Sequence, residues 1–249
     1  MTSDQRLFDT YVTSHFQGCH RGDADEYESY RRHCRRTVLP LLPDDRSARI
    51  LDVGCGMGHL LYFLKHEGYK NHRGIDVGPE QIEWCRTRVT DQVELAPDTK
   101  RYLEARQGAF DAITCFDVLE HLDREALLDT VIAIRHALAD GGRFVVKVPN
   151  AACITALMTR YGDLTHHRLF TEGSLAQLFK AAGFTRIEIR PDEYKPIREF
   201  PSRLHKWSWS VRDRAIRWWM AKCYDHLMEG ANPKVQTINL LAVAQGPGQ

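Results

Sequence analysis

The sequence lacks a Cys-x-x-Cys pair, although seven cysteines are scattered through its 249 residues. An odd, scattered set of cysteines indicates neither a disulfide framework nor a zinc knuckle, and reduced thiols are typical of a cytoplasmic chain. No stretch approaches the roughly 20 apolar residues that a membrane span requires, and the N-terminus lacks the apolar run of a signal peptide. We therefore expect a cytoplasmic protein without a transmembrane anchor.

A marked excess of either charge is also absent. The chain has 34 Lys and Arg against 33 Asp and Glu, a formal net charge of +1. This balance excludes a generally basic nucleic-acid coat and an acidic tail protein. No nucleic-acid partner is expected, because no recognised RNA or DNA module accompanies the local basic segment at 198–222. With 43% hydrophobic and 27% charged residues, the composition is close to the globular average and supports one substantial core.

Apolar segments with strand-like composition alternate with segments of helical periodicity. Strands are predicted at 48–53, 73–77, 93–95, 110–116, 143–148, 184–190 and 237–244. Helices are predicted at 58–67, 79–88, 124–139 and 171–182. Because this alternation is typical of βαβ units, it predicts an α/β fold with a doubly wound, mostly parallel sheet of seven strands.

Two regions flank this pattern. Residues 1–46 are expected to form an N-terminal helical cap over the mouth of the sheet, with a helix at 25–39. The α/β domain would then occupy 47–249 and carry a helical insertion at 200–229, before the last strand.

The most informative run places three glycines between a strand and a helix, and it reads Ile50-Leu51-Asp52-Val53-Gly54-Cys55-Gly56-Met57-Gly58. Glycines there allow a sharp turn and a close approach of the backbone to a ligand. A dinucleotide fingerprint needs its third glycine at His59, so a nicotinamide cofactor is disfavoured. No Lys-Ser/Thr pair follows the loop, which excludes a P-loop for nucleotide hydrolysis.

This loop resembles the first motif of the class I S-adenosylmethionine-dependent methyltransferases, which is an acidic residue, an apolar residue and Gly-x-Gly-x-Gly. Three further segments resemble the family at matching intervals, namely Gly74-Ile75-Asp76, 110–122 and 138–150. The resemblance implies a Rossmann-like methyltransferase domain with S-adenosylmethionine as its cofactor. It implies cofactor contacts from Asp52, Gly54, Cys55, Gly56, Gly58, Asp76, Val77, Gln81, Asp98, Thr99 and Phe116.

Two carboxylates have particular roles in this resemblance. Asp76 would bind the ribose hydroxyls, because a carboxylate accepts hydrogen bonds from two hydroxyls at once. Asp98, followed by Thr99, aligns with the acidic residue that contacts the adenine amine in the family. The alternative for Asp98 is an N-cap of the helix that begins at Thr99.

Methyl transfer to a hydroxyl requires a group that removes its proton, and histidine has a suitable pKa. The segment 161–171 resembles that of a bacterial subgroup associated with surface-glycan synthesis, in which Gly-Asp-aromatic-Thr-His recurs, with Leu164 at the aromatic position here. It makes His166 the first candidate base, with ordering of the loop as the alternative. His121 is the second candidate, with packing against the glycine loop as the alternative.

The leading functional hypothesis is O-methylation of a sugar hydroxyl on a glycan or glycan precursor. The alternatives are a small-molecule methyltransferase for a quinone or natural product, and a cofactor-binding protein without transfer activity. A divalent cation such as Mg²⁺, held by Asp117, Asp163 and the histidines, is a further alternative, although no spacing requires a metal.

The segment 198–222 is basic and rich in tryptophan. It contains seven Lys or Arg, two acidic residues and four of the five tryptophans of the chain. This composition suits the inner face of a membrane, an acceptor site, or packing against the domain or a second subunit in a homodimer. Near the N-terminus, Phe16-Gln17-Gly18-Cys19 resembles a subgroup segment that lies over the cofactor.

Overall fold

The computed structural model describes residues 7–11, 13–14, 21–192, 203–227 and 233–246. The segment 16–19, which was expected over the cofactor, lies outside the described residues. In chain order the elements are α1 (Ala24–Thr37), β1 (Arg49–Val53), α2 (His59–His66), β2 (Asn71–Asp76), α3 (Pro79–Arg88), β3 (Val93–Leu95), α4 (Thr99–Glu104), β4 (Phe110–Phe116), α5 (Arg124–Ala137), β5 (Leu138–Pro149), α6 (Ala156–Gly162), α7 (Glu172–Ala181), β6 (Arg186–Asp192), α8 (Arg203–Leu227) and β7 (Asn239–Gln245).

The seven strands form one sheet in the order β3-β2-β1-β4-β5-β7-β6. Strand β7 is antiparallel to both of its neighbours, whereas the pairs from β3 to β5 are parallel. The predicted seven-stranded, mostly parallel α/β sheet is therefore confirmed. The helix α8 lies in the chain between β6 and β7, where the insertion was expected.

The start of β5 differs from the prediction. The sequence predicted a helix at 124–139 and the next strand at 143–148, but α5 ends at Ala137 and β5 begins at Leu138. Leu138 pairs with Phe110, and the register with β4 then shifts before Ala112 pairs with Arg143. Gly141 has φ of 71°, a backbone conformation that favours glycine. This glycine therefore allows the irregular backbone at this point of the strand.

Apolar clusters cover both faces of the sheet. Consecutive residues of β5 show the alternation, because Phe144 and Val146 belong to one cluster and Val145 belongs to the other. A sheet buried on both faces explains why its strands read as nearly continuous apolar runs in the sequence. The carboxyl ends of the parallel strands meet at one edge, which is where ligands bind in such sheets.

N-terminal residues contact this edge. The Tyr27 hydroxyl of α1 donates a hydrogen bond to the Met57 carbonyl at 2.6 Å, in the glycine-rich loop. Tyr11 is buried and donates a hydrogen bond to Asp163, 152 residues away in the chain. These contacts hold α1 and residues 7–11 beside the loops that follow β1 and α6.

No helix among the described residues is long and apolar enough to cross a membrane. The cysteines in this part of the chain are free thiols, and most of them are buried.

Candidate active site

A cleft of about 1490 Å³ opens at the carboxyl edge of the sheet. This volume exceeds the range of roughly 300–1000 Å³ that is usual for one small molecule, so the cleft has room for two ligands. Most of the predicted site residues line it, namely Asp52, Gly54, Cys55, Gly56, Asp76, Val77, Gln81, Thr99, Phe116, His121 and His166.

The glycine loop follows β1 and turns sharply into α2. Gly54, Gly56 and Gly58 have φ values of 71°, 51° and 80°, in the left-handed region that favours glycine. A Cβ on Gly54 would lie 2.2 Å from Val118 Cγ2, so a side chain at this position would force the β4 loop to shift. The turn therefore requires glycine at this position.

Asp76 ends β2 and fastens this loop. Its Oδ2 accepts a hydrogen bond from the Gly56 N–H at 2.9 Å, and its Oδ1 accepts one from the Gly78 N–H at 2.9 Å. Burial raises the pKa of Asp76, whereas these backbone donors lower it, and the net shift is upward. Because each carboxylate oxygen has a second lone pair, Asp76 can still accept two ribose hydroxyls from the cleft. The loop and Asp76 thus fit the adenosine part of S-adenosylmethionine.

Asp98 is the N-cap of α4. Its Oδ1 accepts a hydrogen bond from the Arg101 N–H at 2.9 Å, and its side chain is exposed. The structure thus shows the capping role that was the alternative for this residue, and its adenine contact stays a prediction. The next residue, Thr99, lines the cleft.

Asp52 lies in β1 beneath the glycine loop and is 2% exposed. The Thr114 hydroxyl donates a hydrogen bond to its Oδ1 at 2.8 Å. Burial raises the pKa of Asp52 to about 7, the Thr114 hydrogen bond opposes this shift, and the negative charge of Asp76 adds to it. Asp52 is therefore partly protonated near neutral pH.

We expect this carboxylate to make the unliganded protein less stable at higher pH. Because the pKa of about 7 in the folded protein lies above that of an unfolded Asp, about 3.9, the contribution of Asp52 is complete below about pH 4 and is lost as pH rises through 7. When the pH rises from about 5 to about 8, the Tm of the parent should fall at least about 2 °C further than the Tm of Asp52→Asn. In a chain of this size, a shift of that extent corresponds to ~1 kcal/mol. Thermal unfolding at the two pH values measures this difference.

The matched control is Glu83→Gln, which removes an exposed carboxylate on α3 and should keep the pH dependence of the parent. An Asp52→Asn protein whose Tm falls as steeply as that of the parent would contradict the assignment of this titration to Asp52.

Three side chains converge on the loops that follow β4 and α6. One carboxylate oxygen of Glu120 and one ring nitrogen from each of His121 and His166 lie within 4.8 Å of one another. The ring centroids of the two histidines are 4.7 Å apart. Both histidines that the sequence singled out are thus brought together, with a glutamate that the sequence analysis did not assign.

Hydrogen bonds assign the neutral tautomer of each histidine. The single hydroxyl proton of Thr165 is donated to Asp163 Oδ1 at 2.6 Å, so His121 Nδ1, 2.7 Å from the same hydroxyl, acts as the donor. His166 Nδ1 lies 2.8 Å from the Thr159 carbonyl, which only accepts, so it also carries a proton. In both rings the lone pair is therefore on Nε2.

Glu120 is fully buried, and neither of its carboxylate oxygens has a hydrogen-bond partner in the described part of the chain. Burial, together with the negative charge of Asp117, raises the pKa of Glu120 well above its usual range. A buried carboxylate that lacks donors is costly unless a proton or a cation satisfies it. We call Glu120, His121 and His166 the rim cluster. Its side chains offer several lone pairs that can accept a proton or bind a cation, and the carboxylate of Glu120 has no hydrogen-bond partner among the described residues.

Aromatic side chains from residues 7–11 cover the rim cluster. Phe8 and Tyr11 pack against His121 with ring centroids 5.7 and 6.2 Å away. Tyr11 also donates a hydrogen bond to Asp163, whose pKa is lowered to about 2 because hydrogen bonds from Thr165 and Tyr11 outweigh burial. Sequence reasoning missed this role of Tyr11, because no local motif connects residues so far apart in the chain.

A family model described as a methyltransferase domain matches residues 27–189, and the chain therefore belongs to this family. A relative named ubiquinone biosynthesis O-methyltransferase from Xylella fastidiosa is 32% identical over 167 residues, which is 61% of this chain and 66% of the relative. One of the same name from Psychrobacter arcticus is 31% identical over 170 residues, covering 60% of this chain and 63% of the relative. The chain thus spans just under two thirds of the length of these relatives.

Solved structures show the same fold at low identity. A SAM-dependent methyltransferase from Archaeoglobus fulgidus matches 88% of this chain and 93% of its own length, with a TM-score of 0.64 and 22% identity. A SAM-dependent methyltransferase from Thermotoga maritima is described as a possible histamine N-methyltransferase. It matches 98% of this chain and 99% of its own length, with a TM-score of 0.61 and 14% identity. The expected Rossmann-like fold of class I methyltransferases is confirmed by these likenesses.

Proposed function

We propose that this protein transfers a methyl group from S-adenosylmethionine to a hydroxyl group of a small-molecule acceptor. The observation that carries the proposal is the rim cluster, which places electron-pair donors beside the end of β4 and in the same cleft as the glycine loop. In-line transfer requires donor and acceptor to be held at attack distance while the hydroxyl proton is removed. The Nε2 atoms of His121 and His166 are the candidate proton acceptors.

The chemistry of the acceptor hydroxyl favours a phenol over a sugar. A phenolic hydroxyl has a pKa of about 10, whereas that of water is about 15.7 and an alkyl hydroxyl is similarly weak as an acid. A histidine with an ordinary pKa of about 6.5 therefore removes a phenolic proton far more readily. The aromatic faces of Phe8 and Tyr11 beside His121 suit a planar acceptor.

The names of the curated relatives support the small-molecule alternative, and they give no support to the glycan acceptor, which stays a hypothesis. We therefore propose a phenolic small molecule, with ubiquinone precursors as one source of such hydroxyls.

The rim cluster also fits a divalent cation. Two imidazole Nε2 atoms and a carboxylate are suitable ligands, and each imidazole donates its other N–H to a neighbouring oxygen, as metal-bound histidines do. Imidazole ligands favour Zn²⁺ or Mn²⁺ over Mg²⁺, which prefers oxygen ligands, so the Mg²⁺ alternative is revised towards these ions. A bound cation would supply Lewis acidity that lowers the pKa of the acceptor hydroxyl.

A methyl-transfer assay with labelled S-adenosylmethionine tests the proposed function. The acceptors are catechol, fractionated polysaccharide, lipid extract and a small-molecule extract, each offered to protein before and after dialysis against a chelator. We expect label in catechol or the small-molecule pool. Label confined to the polysaccharide pool would restore the glycan hypothesis, and cofactor binding without any transfer would favour a non-catalytic protein.

The helix α8 presents an exposed aromatic face. Trp207, Trp218 and Trp219 are 62%, 66% and 59% exposed. The interpretation in which these tryptophans pack on the domain itself is therefore wrong, while an acceptor site, a second subunit and a membrane surface stay hypotheses.

Of these, we propose a peripheral contact with anionic lipid, because Arg212, Arg214 and Lys222 on the same helix are also exposed. The double substitution Trp218→Ala/Trp219→Ala should lower the partition coefficient onto anionic vesicles at low salt at least about tenfold, since two indole rings no longer enter the interface.

Vesicle flotation measures this partition, and neutral vesicles are the control. If the parent does not float with anionic vesicles at low salt, the exposed tryptophans belong to a subunit interface or an acceptor site.

A further inference from the structure

A second polar region of the cleft lies against α1. It is formed by Tyr30 and His33 of α1, Asp117 after β4, Lys147 of β5 and Asp192 at the end of β6. We call this region the α1 recess. None of these side chains belongs to the glycine loop or to the rim cluster.

One ion pair and one hydrogen bond between a histidine and a carboxylate line the α1 recess. In the ion pair Lys147 is largely buried and Asp117 is 47% exposed, whereas His33 and Asp192 are both buried. Lys147 Nζ lies 2.6 Å from Asp117 Oδ2, and the Asp117 N–H donates to the Lys147 carbonyl at 2.9 Å. His33 Nε2 lies 2.7 Å from Asp192 Oδ1. The ammonium of Lys147 is thus already neutralised by Asp117, and the carboxylate of Asp192 adds a further negative charge.

The second oxygen of Asp192 provides an acceptor position. Asp192 is 3% exposed, and its Oδ2 has no hydrogen-bond partner within the described ranges of the chain. A buried carboxylate oxygen without a donor costs free energy, so a ligand that brings a donor to this point gains a charge-assisted hydrogen bond.

The cofactor does not reach this position. From β2, which carries Asp76, to β6 the sheet order makes five steps, and at about 4.8 Å per step these span roughly 24 Å. The amino-acid end of S-adenosylmethionine is joined to the ribose carbon through sulfur by a few single bonds of about 1.5 Å each. With its ribose at Asp76, the cofactor ends near β4, and Asp192 remains for the second ligand of the cleft.

We propose that the α1 recess binds the end of the acceptor that is remote from the methylated hydroxyl, and that this end is an uncharged alcohol rather than a carboxylate or phosphate. The alcohol donates to Asp192 Oδ2. A carboxylate would instead meet Asp192 and Asp117, and the Lys147 ammonium is already paired with Asp117. This inference rests on the proposed small-molecule O-methylation and names the chemical class that the enzyme selects.

Three catechols that differ in one substituent test the proposal, carrying hydroxymethyl, aminomethyl or carboxylate para to one hydroxyl. Their binding to protein saturated with S-adenosylhomocysteine is measured by calorimetry. We expect the alcohol to bind at least about tenfold more tightly than the carboxylate, because of these two substituents the alcohol alone donates to the buried Asp192 carboxylate. In Asp192→Asn the amide presents an N–H to the recess, so the alcohol-to-carboxylate ratio should fall to about one or below.

The matched control is Glu188→Gln, which changes an exposed carboxylate on the same strand and should keep the ratio of the parent. If Asp192→Asn fails to unfold cooperatively, Lys147→Met is the second variant. It removes the ammonium beside the two carboxylates and should raise the amine-to-carboxylate ratio at least about tenfold.

The proposal is overturned if the parent binds the carboxylate as tightly as the alcohol, if a folded Asp192→Asn protein keeps the parent ratio, or if none of the three catechols binds. Methyl transfer to the same catechols is measured alongside. If the catechols are methylated but the alcohol and the carboxylate bind equally well, the proposal for the α1 recess is wrong and the proposed function stands. If the alcohol binds more tightly but no catechol is methylated, the proposed function is wrong.

Discussion

His121→Gln is expected to lower the rate of methyl transfer by about 10² to 10⁴, the usual loss when a general base is removed, while S-adenosylmethionine affinity stays within about threefold. The structure gives the reason, since His121 Nδ1 is held by Thr165, which leaves Nε2 as the basic nitrogen, and the ring belongs to the rim cluster. Glutamine keeps much of the size and hydrogen bonding of histidine but does not accept a proton at neutral pH. Turnover and calorimetric cofactor affinity are measured on the same preparations.

His166→Gln, compared beside it, identifies which histidine acts as the base. The side chain that removes the proton should show the larger loss, and the other should show the loss expected for a ligand or positioning group. His136→Gln, an exposed histidine on α5, is the control and should retain the rate of the parent. Turnover within about threefold of the parent for both rim-cluster variants would exclude a histidine base.

Asp76→Ala should weaken S-adenosylhomocysteine binding by about 1.5 to 3 kcal/mol, the range for hydrogen bonds to charged groups. Besides the proposed ribose contacts, this change removes the acceptors for the Gly56 and Gly78 N–H groups, so the glycine loop also loses its fastening to β2. Titration calorimetry on protein with a cooperative thermal transition measures the effect. An unchanged dissociation constant would contradict the ribose assignment.

Asp98→Ser is the informative comparison for that measurement. Serine is a good N-cap, so it retains the hydrogen bond to the Arg101 N–H and separates capping from any adenine contact. If affinity stays within about twofold, Asp98 acts as a helix cap alone, whereas a loss near tenfold would support the adenine contact.

Much of the fold and half of the site follow from local sequence. Strand positions were predictable because both faces of the sheet are covered, so that each strand is a short apolar run between turn residues. The glycine loop and Asp76 were predictable because they are adjacent in the parallel β1–β2 unit and their spacing is set by one helix. The start of β5 was missed because Gly141 supports a strand irregularity, which has the same local signal as a helix end.

The acceptor side of the site was less accessible to sequence reasoning. His33 and Asp192 are 159 residues apart, and they meet only because β6 forms the far edge of the sheet and His33 of α1 reaches its end. Glu120 resembles an ordinary acidic residue near a helix start, and its significance depends on complete burial without a donor. Burial and the lack of a hydrogen-bond partner are properties of tertiary packing. Neither can be predicted from the spacing of residues in the sequence.

The place of β7 in the sheet sets the order in which the protein can be completed during synthesis. Among the described strands, β6 pairs with β7 alone, and β7 also closes the edge of β5. During synthesis, β6 leaves the ribosome before its pairing partner does. Asp192 therefore reaches its place in the sheet only after residues 239–245 have been synthesised. A premature stop before Asn239 would leave both strands with open edges, a state prone to aggregation rather than a shortened enzyme.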